Sequence, residues 1–280
     1  MIEMPEATTL ASQMNSTLAG KKIVRFARGP LTHKFLWLNR PDEEYQSILA
    51  GKTITGASSF GRSIYLHLGK KAMLWWGDTG GRIRYHEPGA ELPKKFHLVW
   101  DFADGSHLTF AMEMWGFVRL LDPSQFGERP NEESGTQPLS PEFTLEYLNE
   151  MLDEYPEKTS KGIKGFLVAT GHLVSKHING LGNAYVQDIL FRAGIDPRRK
   201  IPAIDADKRQ DLCDAIQSTL AQATELGGRD EESDLFGQPG RYIRLMDSRT
   251  AGQPCPSCRT PILKIAYLGG ACYLCPKCQS

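Results

Sequence analysis

The chain has 280 residues, with 33 Lys and Arg against 33 Asp and Glu, 40% apolar residues and six cysteines. At roughly 100–200 residues per domain, this length suggests two domains or one large domain with a small module. The composition excludes intrinsic disorder and a disulfide miniprotein. No run approaches the roughly 20 apolar residues of a spanning helix, and the opening MIEMPEATTL carries neither a basic stretch nor an apolar signal core, so a cytoplasmic chain is expected. The zero net charge hides an asymmetry. Residues 241–280 carry Arg241, Arg244, Arg249, Arg259, Lys264 and Lys277 against the single acid Asp247, a balance of +5 that leaves −5 on the rest.

In chain order, residues 5–19 predict a helix, with Leu10, Met14 and Leu18 at spacing four and Gly20 as its stop. Short apolar or alternating runs follow at 22–26, 54–58, 64–68, 72–76, 83–85, 97–102, 107–112 and 117–121, separated by Gly, Asp-Gly and Pro signals. So many closely spaced strands predict a sandwich or barrel rather than a doubly wound sheet. An acidic, polar texture over 123–161 marks a domain boundary, with a loop through NEESGTQPLSPE and a helix at 143–152. Helices are expected near 163–176, 183–192 and 205–226, and 227–240 reads as a solvated linker or an ordered loop.

The chain ends in Cys255-x-x-Cys258, sixteen intervening residues and Cys275-x-x-Cys278. This is the spacing of a four-thiolate zinc ribbon, in which each turn aims two sulfurs at one tetrahedral ion. Between them, 260–273 reads as a hairpin turning at Gly269-Gly270. The alternative, two structural disulfides, is disfavoured in a reducing compartment. One zinc ion is expected, structural because four protein ligands leave no open position. Cys272 is expected as a packed thiol and Cys213 as core.

An N-terminal x-Glu-x-Pro-Glu, a helix and β-rich region, Gly180-Leu181-Gly182-Asn183-Ala184-Tyr185 opening a helix, Leu190-Phe191-Arg192-Ala193-Gly194-Ile195-Asp196-Pro197 after it, and the terminal finger occur in this order. In that set the chain resembles the formamidopyrimidine-DNA glycosylase / endonuclease VIII family. The resemblance implies an α+β multidomain fold. Residues 1–125 would form an N-terminal β-sandwich with a helix, 126–240 a helix–two-turn–helix domain, and 241–280 the zinc finger hairpin. It also implies a base-excision repair protein that takes damaged double-stranded DNA as partner and has no membrane role; nothing in the sequence signals an oligomer, so a monomer is expected. The physical logic of GLGNAY agrees: glycines admit a phosphate, the helix start offers free N–H groups, and Asn183 adds a donor.

What the resemblance implies for chemistry is a glycosylase with abasic-site lyase action through the N-terminal amine. Such an amine keeps a neutral fraction at physiological pH that an ordinary lysine lacks. The catalytic positions are Ile2, Glu3 and Glu6, with Glu3 as acid/base toward the sugar and Glu6 supporting it. The family has proline where this chain has Ile2, and a large second residue disfavours removal of Met1, which would displace the amine by about 3.8 Å. The family's phosphate-binding lysine is Ile64 here, with Arg62 two residues away, and its finger arginine falls at Ala271 or Cys272. Arg62, Asn183 and Lys264 are the DNA-binding candidates. The family's wedge methionine aligns with Asp78, for which Trp115, or Trp75 and Trp76, would substitute by stacking. Two alternatives stand beside the glycosylase–lyase reading: a catalytically impaired binder of damaged or kinked duplex, and a monofunctional glycosylase in which Glu3 or Glu6 activates water.

Overall fold

The computed structural model describes residues 1–77, 80–125, 135–155, 162–168 and 177–280. Two compact units emerge: Met1–Arg129 with Thr224–Tyr242, and Pro130–Ala223 with Ile243–Ser280. This division differs from the linear boundaries read from the sequence, because Thr224–Tyr242 returns to the first unit.

The first unit opens with helix α1 (Met4–Leu18), started by a reciprocal box in which the Glu3 side chain accepts the Glu6 backbone N–H and the Glu6 carboxylate accepts the Glu3 N–H. Pro5 in the first turn adds a preset φ. Two sheets follow. One has the order β1 (Ile23–Arg28), β7 (Leu98–Phe102), β8 (His107–Met112), β6 (Gly81–His86). The other has the order β2 (Leu36–Leu38), β9 (Gly116–Leu121), β5 (Met73–Gly77), β4 (Ser63–His67), β3 (Gly56–Phe60). All neighbours are antiparallel except β2 and β9. Helix α2 (Asp42–Leu49) lies against β1.

The sheets share one core, because alternate residues of each strand point inward. Leu74 and Trp76 of β5 meet Trp100, Leu108 and Phe110 of the other sheet, and the Trp76 and Trp100 rings touch edge to face at 5.4 Å. Met73 and Trp75 point the other way, into a smaller cluster with Leu121, where Trp75 packs edge to face on Phe117 at 4.6 Å. Leu10, Met14 and Leu18 of α1 enter the main core, as their spacing predicts.

In the second unit, α3 (Leu145–Glu154), α4 (Ile163–Val168), α5 (Asn183–Arg192) and α6 (Ala206–Glu225) accompany the hairpin β10 (Leu263–Tyr267) and β11 (Gly270–Leu274). The expected helix over 163–176 is seen through Val168; residues 169–176 lie outside the described residues. Helix α5 anchors the finger: Gln187 accepts the Tyr273 N–H at 2.7 Å, and the buried Asp188 carboxylate accepts those of Leu245 and Met246 at 2.9 Å each.

Candidate active site and metal centre

The start of the chain and the returning segment build one charged cluster within the first unit. Ile2 is 2% exposed and belongs to the hydrophobic core, which pins the backbone at the mouth of α1. Glu3 and Glu6 follow it, each 4% exposed. Burying carboxylates is costly without partners, and the partner here is Arg229. Its backbone N–H and Nε both donate to Glu6 Oε1, at 3.0 and 3.1 Å, and its Nη1 lies 3.7 Å from Glu3 Oε1. Arg229 Nη2 donates to the Met1 carbonyl at 2.7 Å and to Glu232 Oε1 at 3.3 Å. The same Glu232 oxygen accepts the Met1 α-ammonium at 2.8 Å.

The loop that carries Arg229 and Glu232 is ordered, which settles the choice left open for 227–240. Leu235 is fully buried in the sandwich core and its carbonyl accepts the Tyr85 N–H at 2.9 Å. Gln13 of α1 clamps the loop twice, donating to Asp234 at 2.8 Å and accepting the Leu235 N–H at 2.9 Å. Gly228 is required by close approach: its φ is +92° and a Cβ there would lie 2.8 Å from Glu6 Cγ.

Arg62 is half-buried and its Nη1 faces the Met1 sulfur at 3.6 Å, so it borders the same cluster. Of the wedge candidates, Asp78 lies outside the described residues. Trp115 is 39% exposed, whereas Trp75 and Trp76, at 3% and 0%, are packed in the sandwich and have no ring face to offer a duplex. Reading those two as possible stacking residues is corrected by their alternation on β5, which buries one on each side of the sheet.

In the second unit, Gly180 takes φ +96°, Gly182 caps α5, and Asn183 opens the helix with its side chain exposed. Free N–H groups at such a helix start favour anions. Lys264 is exposed on β10. The finger brings the sulfurs of Cys255, Cys258, Cys275 and Cys278 within 4.8 Å of one another, with Cys255 and Cys278 at 3.8 Å and Cys258 and Cys275 at 3.4 Å. A tetrahedral ion with metal–sulfur bonds of about 2.3 Å separates its sulfurs by about 3.8 Å, so the donor set fits one metal ion. Cys272 is buried, its thiol pushed up by desolvation, and Lys164 hydrogen-bonds it; Cys213 is buried on α6. Both fill the packing places expected of them.

Sequence reasoning missed Arg229 and Glu232. They sit in GGRDEESD, whose charge density reads as a wet surface, and the link to Glu6 spans 223 residues. The one available signal was the Gly227-Gly228 pair, which marks a close backbone approach immediately before Arg229.

A sandwich with an amine and carboxylates gathered at its chain start, and a second body that ends in a hairpin flanked by four clustered cysteines, is the architecture of DNA glycosylases with a zinc-finger tail. Comparisons with known proteins agree. The formamidopyrimidine-DNA glycosylase N-terminal domain profile matches residues 1–113 and the formamidopyrimidine-DNA glycosylase H2TH domain profile residues 134–233. The formamidopyrimidine-DNA glycosylase of Bacillus licheniformis is 31% identical over 100% of this chain and 99% of its own length, and that of Bacillus subtilis 29% over the same shares. Lactococcus lactis Fpg, solved with DNA containing N7-benzyl-Fapy-dG, superposes with a TM-score of 0.85 at 26% identity, covering 99% of both chains. The same enzyme solved with abasic-site DNA gives the same score, identity and coverage. The chain belongs to the formamidopyrimidine-DNA glycosylase family, whose members are DNA glycosylases of base excision repair with abasic-site lyase activity.

Proposed function

We propose that this protein excises damaged bases from double-stranded DNA and cuts the resulting abasic site by β-elimination, using the amine at the chain start. The observation that carries this reading is the amine itself, ion-paired at 2.8 Å in a half-buried position beside the paired carboxylates Glu3 and Glu6. In this reading the amine attacks C1′ and holds the sugar as an imine. Glu3 moves protons at the sugar ring oxygen, and Glu6 orients the helix start through its bonds to the Glu3 N–H and Arg229. Arg62, Asn183 and Lys264 supply contacts to phosphates, and Trp115 fills the space of an everted nucleotide. The four finger thiolates hold zinc, which supplies folding energy that so short a segment cannot draw from a core of its own. The protein acts as a monomer in the cytoplasm, where its DNA is.

The test is excision on a panel of duplexes, each with one lesion, followed on denaturing gels for wild type and Glu3→Gln. Strand cleavage by wild type that Glu3→Gln abolishes, with duplex binding kept, is the expected result. The second reading, a binder that no longer cuts, is favoured by the burial of Ile2 at the position the family fills with proline. Binding to damaged duplex with neither base release nor cleavage on any substrate would establish that reading instead.

A further inference from the structure

We infer that the imine-forming amine is that of a retained Met1 and that Glu232 is its proton acceptor, an assignment that rests on the lyase reading above. Met1 is held by all three of its polar groups: the ammonium by Glu232 at 2.8 Å, the carbonyl by Arg229 at 2.7 Å, and the thioether by Arg62 at 3.6 Å. Removing it would leave Glu232 without its ammonium and Arg229 without a carbonyl acceptor, and would draw the new amine back by about one residue, roughly 3.8 Å. Ile2 opposes that removal twice. Its large branched side chain flanks the bond that an aminopeptidase of small-residue preference must cut, and that side chain is 2% exposed in the core.

The geometry also supplies the chemistry. The Met1 and Glu232 side chains are 25% and 22% exposed, so the pair is open to solvent rather than sealed away. An ammonium is not a nucleophile, and Glu232 Oε1 lies within direct proton-transfer distance of it. The guanidinium of Arg229, at 3.3 Å from that oxygen, fixes the carboxylate in place. With an abasic aldehyde the step balances as follows. Glu232 takes one proton from the ammonium, and the freed lone pair forms the N–C1′ bond while the carbonyl π pair moves to oxygen. That oxygen receives the proton from Glu232 and a second from nitrogen, and leaves as water. The product is an iminium of the same charge as the starting ammonium. Glu232 therefore serves the amine, and Glu3 is left to serve the sugar.

The experiment is borohydride trapping of the full-length protein on a duplex with one abasic site, with intact mass measured first and the adduct then mapped by peptide. The expected result is an adduct on a peptide that begins with Met1. Glu232→Gln, which keeps a hydrogen bond to the amine, is expected to trap at least tenfold more slowly with duplex binding unchanged, while Glu232→Asp, which keeps a carboxylate, is expected to recover most of the rate. Rescue by the shorter carboxylate but not by the isosteric amide is a readout a merely structural role for Glu232 would not give. An adduct on an Ile2 peptide lacking Met1 would overturn the inference while leaving the lyase reading intact. A Glu232→Gln rate equal to wild type would overturn the role of Glu232. Binding without any adduct would overturn the inference and the lyase reading together.

Discussion

Replacing Arg229 by methionine removes the charge that sits against two buried carboxylates while keeping much of the side-chain volume. Glu3 and Glu6 side chains are each 5% exposed and Arg229 6%, so little water is at hand to take over. Breaking a buried ion pair from one side costs about 3–5 kcal/mol, because the surviving charge stays desolvated. For a body of about 150 residues, each kcal/mol moves the midpoint by about 2–4 °C, so a fall of about 6–20 °C is expected. Tryptophan fluorescence isolates the right event, since Trp37, Trp75, Trp76, Trp100 and Trp115 all lie in the first unit. Adding Glu6→Gln to Arg229→Met is expected to restore part of the loss, as an amide is cheaper to bury unpaired than a carboxylate. The coupling between the two sites would then appear in a double-mutant cycle. A single variant melting within about 2 °C of wild type, or a cycle in which the two losses simply add, would refute the account of Arg229 as the counter-charge of this cluster.

Further outcomes follow from other parts of the molecule. Gly228→Ala must strain a +92° φ and push on the Glu6 carboxylate; a stability loss of about 1–3 kcal/mol with slower excision is expected by urea titration and gel assay. Lys264→Ala is expected to lower the slope of log affinity against log salt by about one, whereas Asn183→Ala weakens binding with the slope unchanged. Metal chelation is expected to expose four reactive thiols in the finger, read by thiol titration, with loss of duplex retention. Burial, followed by the nearby His33 and Arg28 charges, lowers the pKa of His97, whose Nδ1 accepts the Met112 N–H at 2.9 Å. The unfolded chain therefore binds the proton first, and stability falls as pH drops through the ordinary histidine range near 6.5. His97→Gln should flatten that part of the acid-side loss in urea midpoints compared at pH 7.5 and 5.5.

Much of the fold was legible because its signals are local. Helix α5 starts at Asn183 and ends at Arg192 where the glycine turn and apolar spacing put it, and the hairpin turns at Leu268-Gly269, one residue before the expected glycine pair, with Gly270 already paired to Tyr267. Eight strands were marked by alternation and turn residues. Strand β2 was not: it has only three residues, Leu36–Leu38, and gains its identity from parallel pairing with β9, eighty residues on. Helix α2 lacks a Ser, Thr, Asp or Asn cap, since Pro41 holds that place, although Asp42, Glu43 and Glu44 in its first turn were a usable dipole signal. The site divides in the same way. Cysteine spacing and the N-terminal acids are one-dimensional patterns. The pairing of Glu6 with Arg229 is a product of tertiary folding, and a charged residue in a charged run gives no hint that it is buried.

The contact between Met1 and Glu232 also sets an order on biosynthesis. Met1 bonds a side chain 231 positions later, and Leu235, a core member of the same body, emerges later still. Synthesis through residue 129 has made every described strand of the sandwich yet not the segment that closes its core and neutralises Glu6. Native contacts of such long sequence separation form late and slow folding. The amine, its carboxylates and their arginine are thus assembled only once residues 229–232 have been made, so a product stalled before them can present a sandwich but no completed site with which to cut DNA.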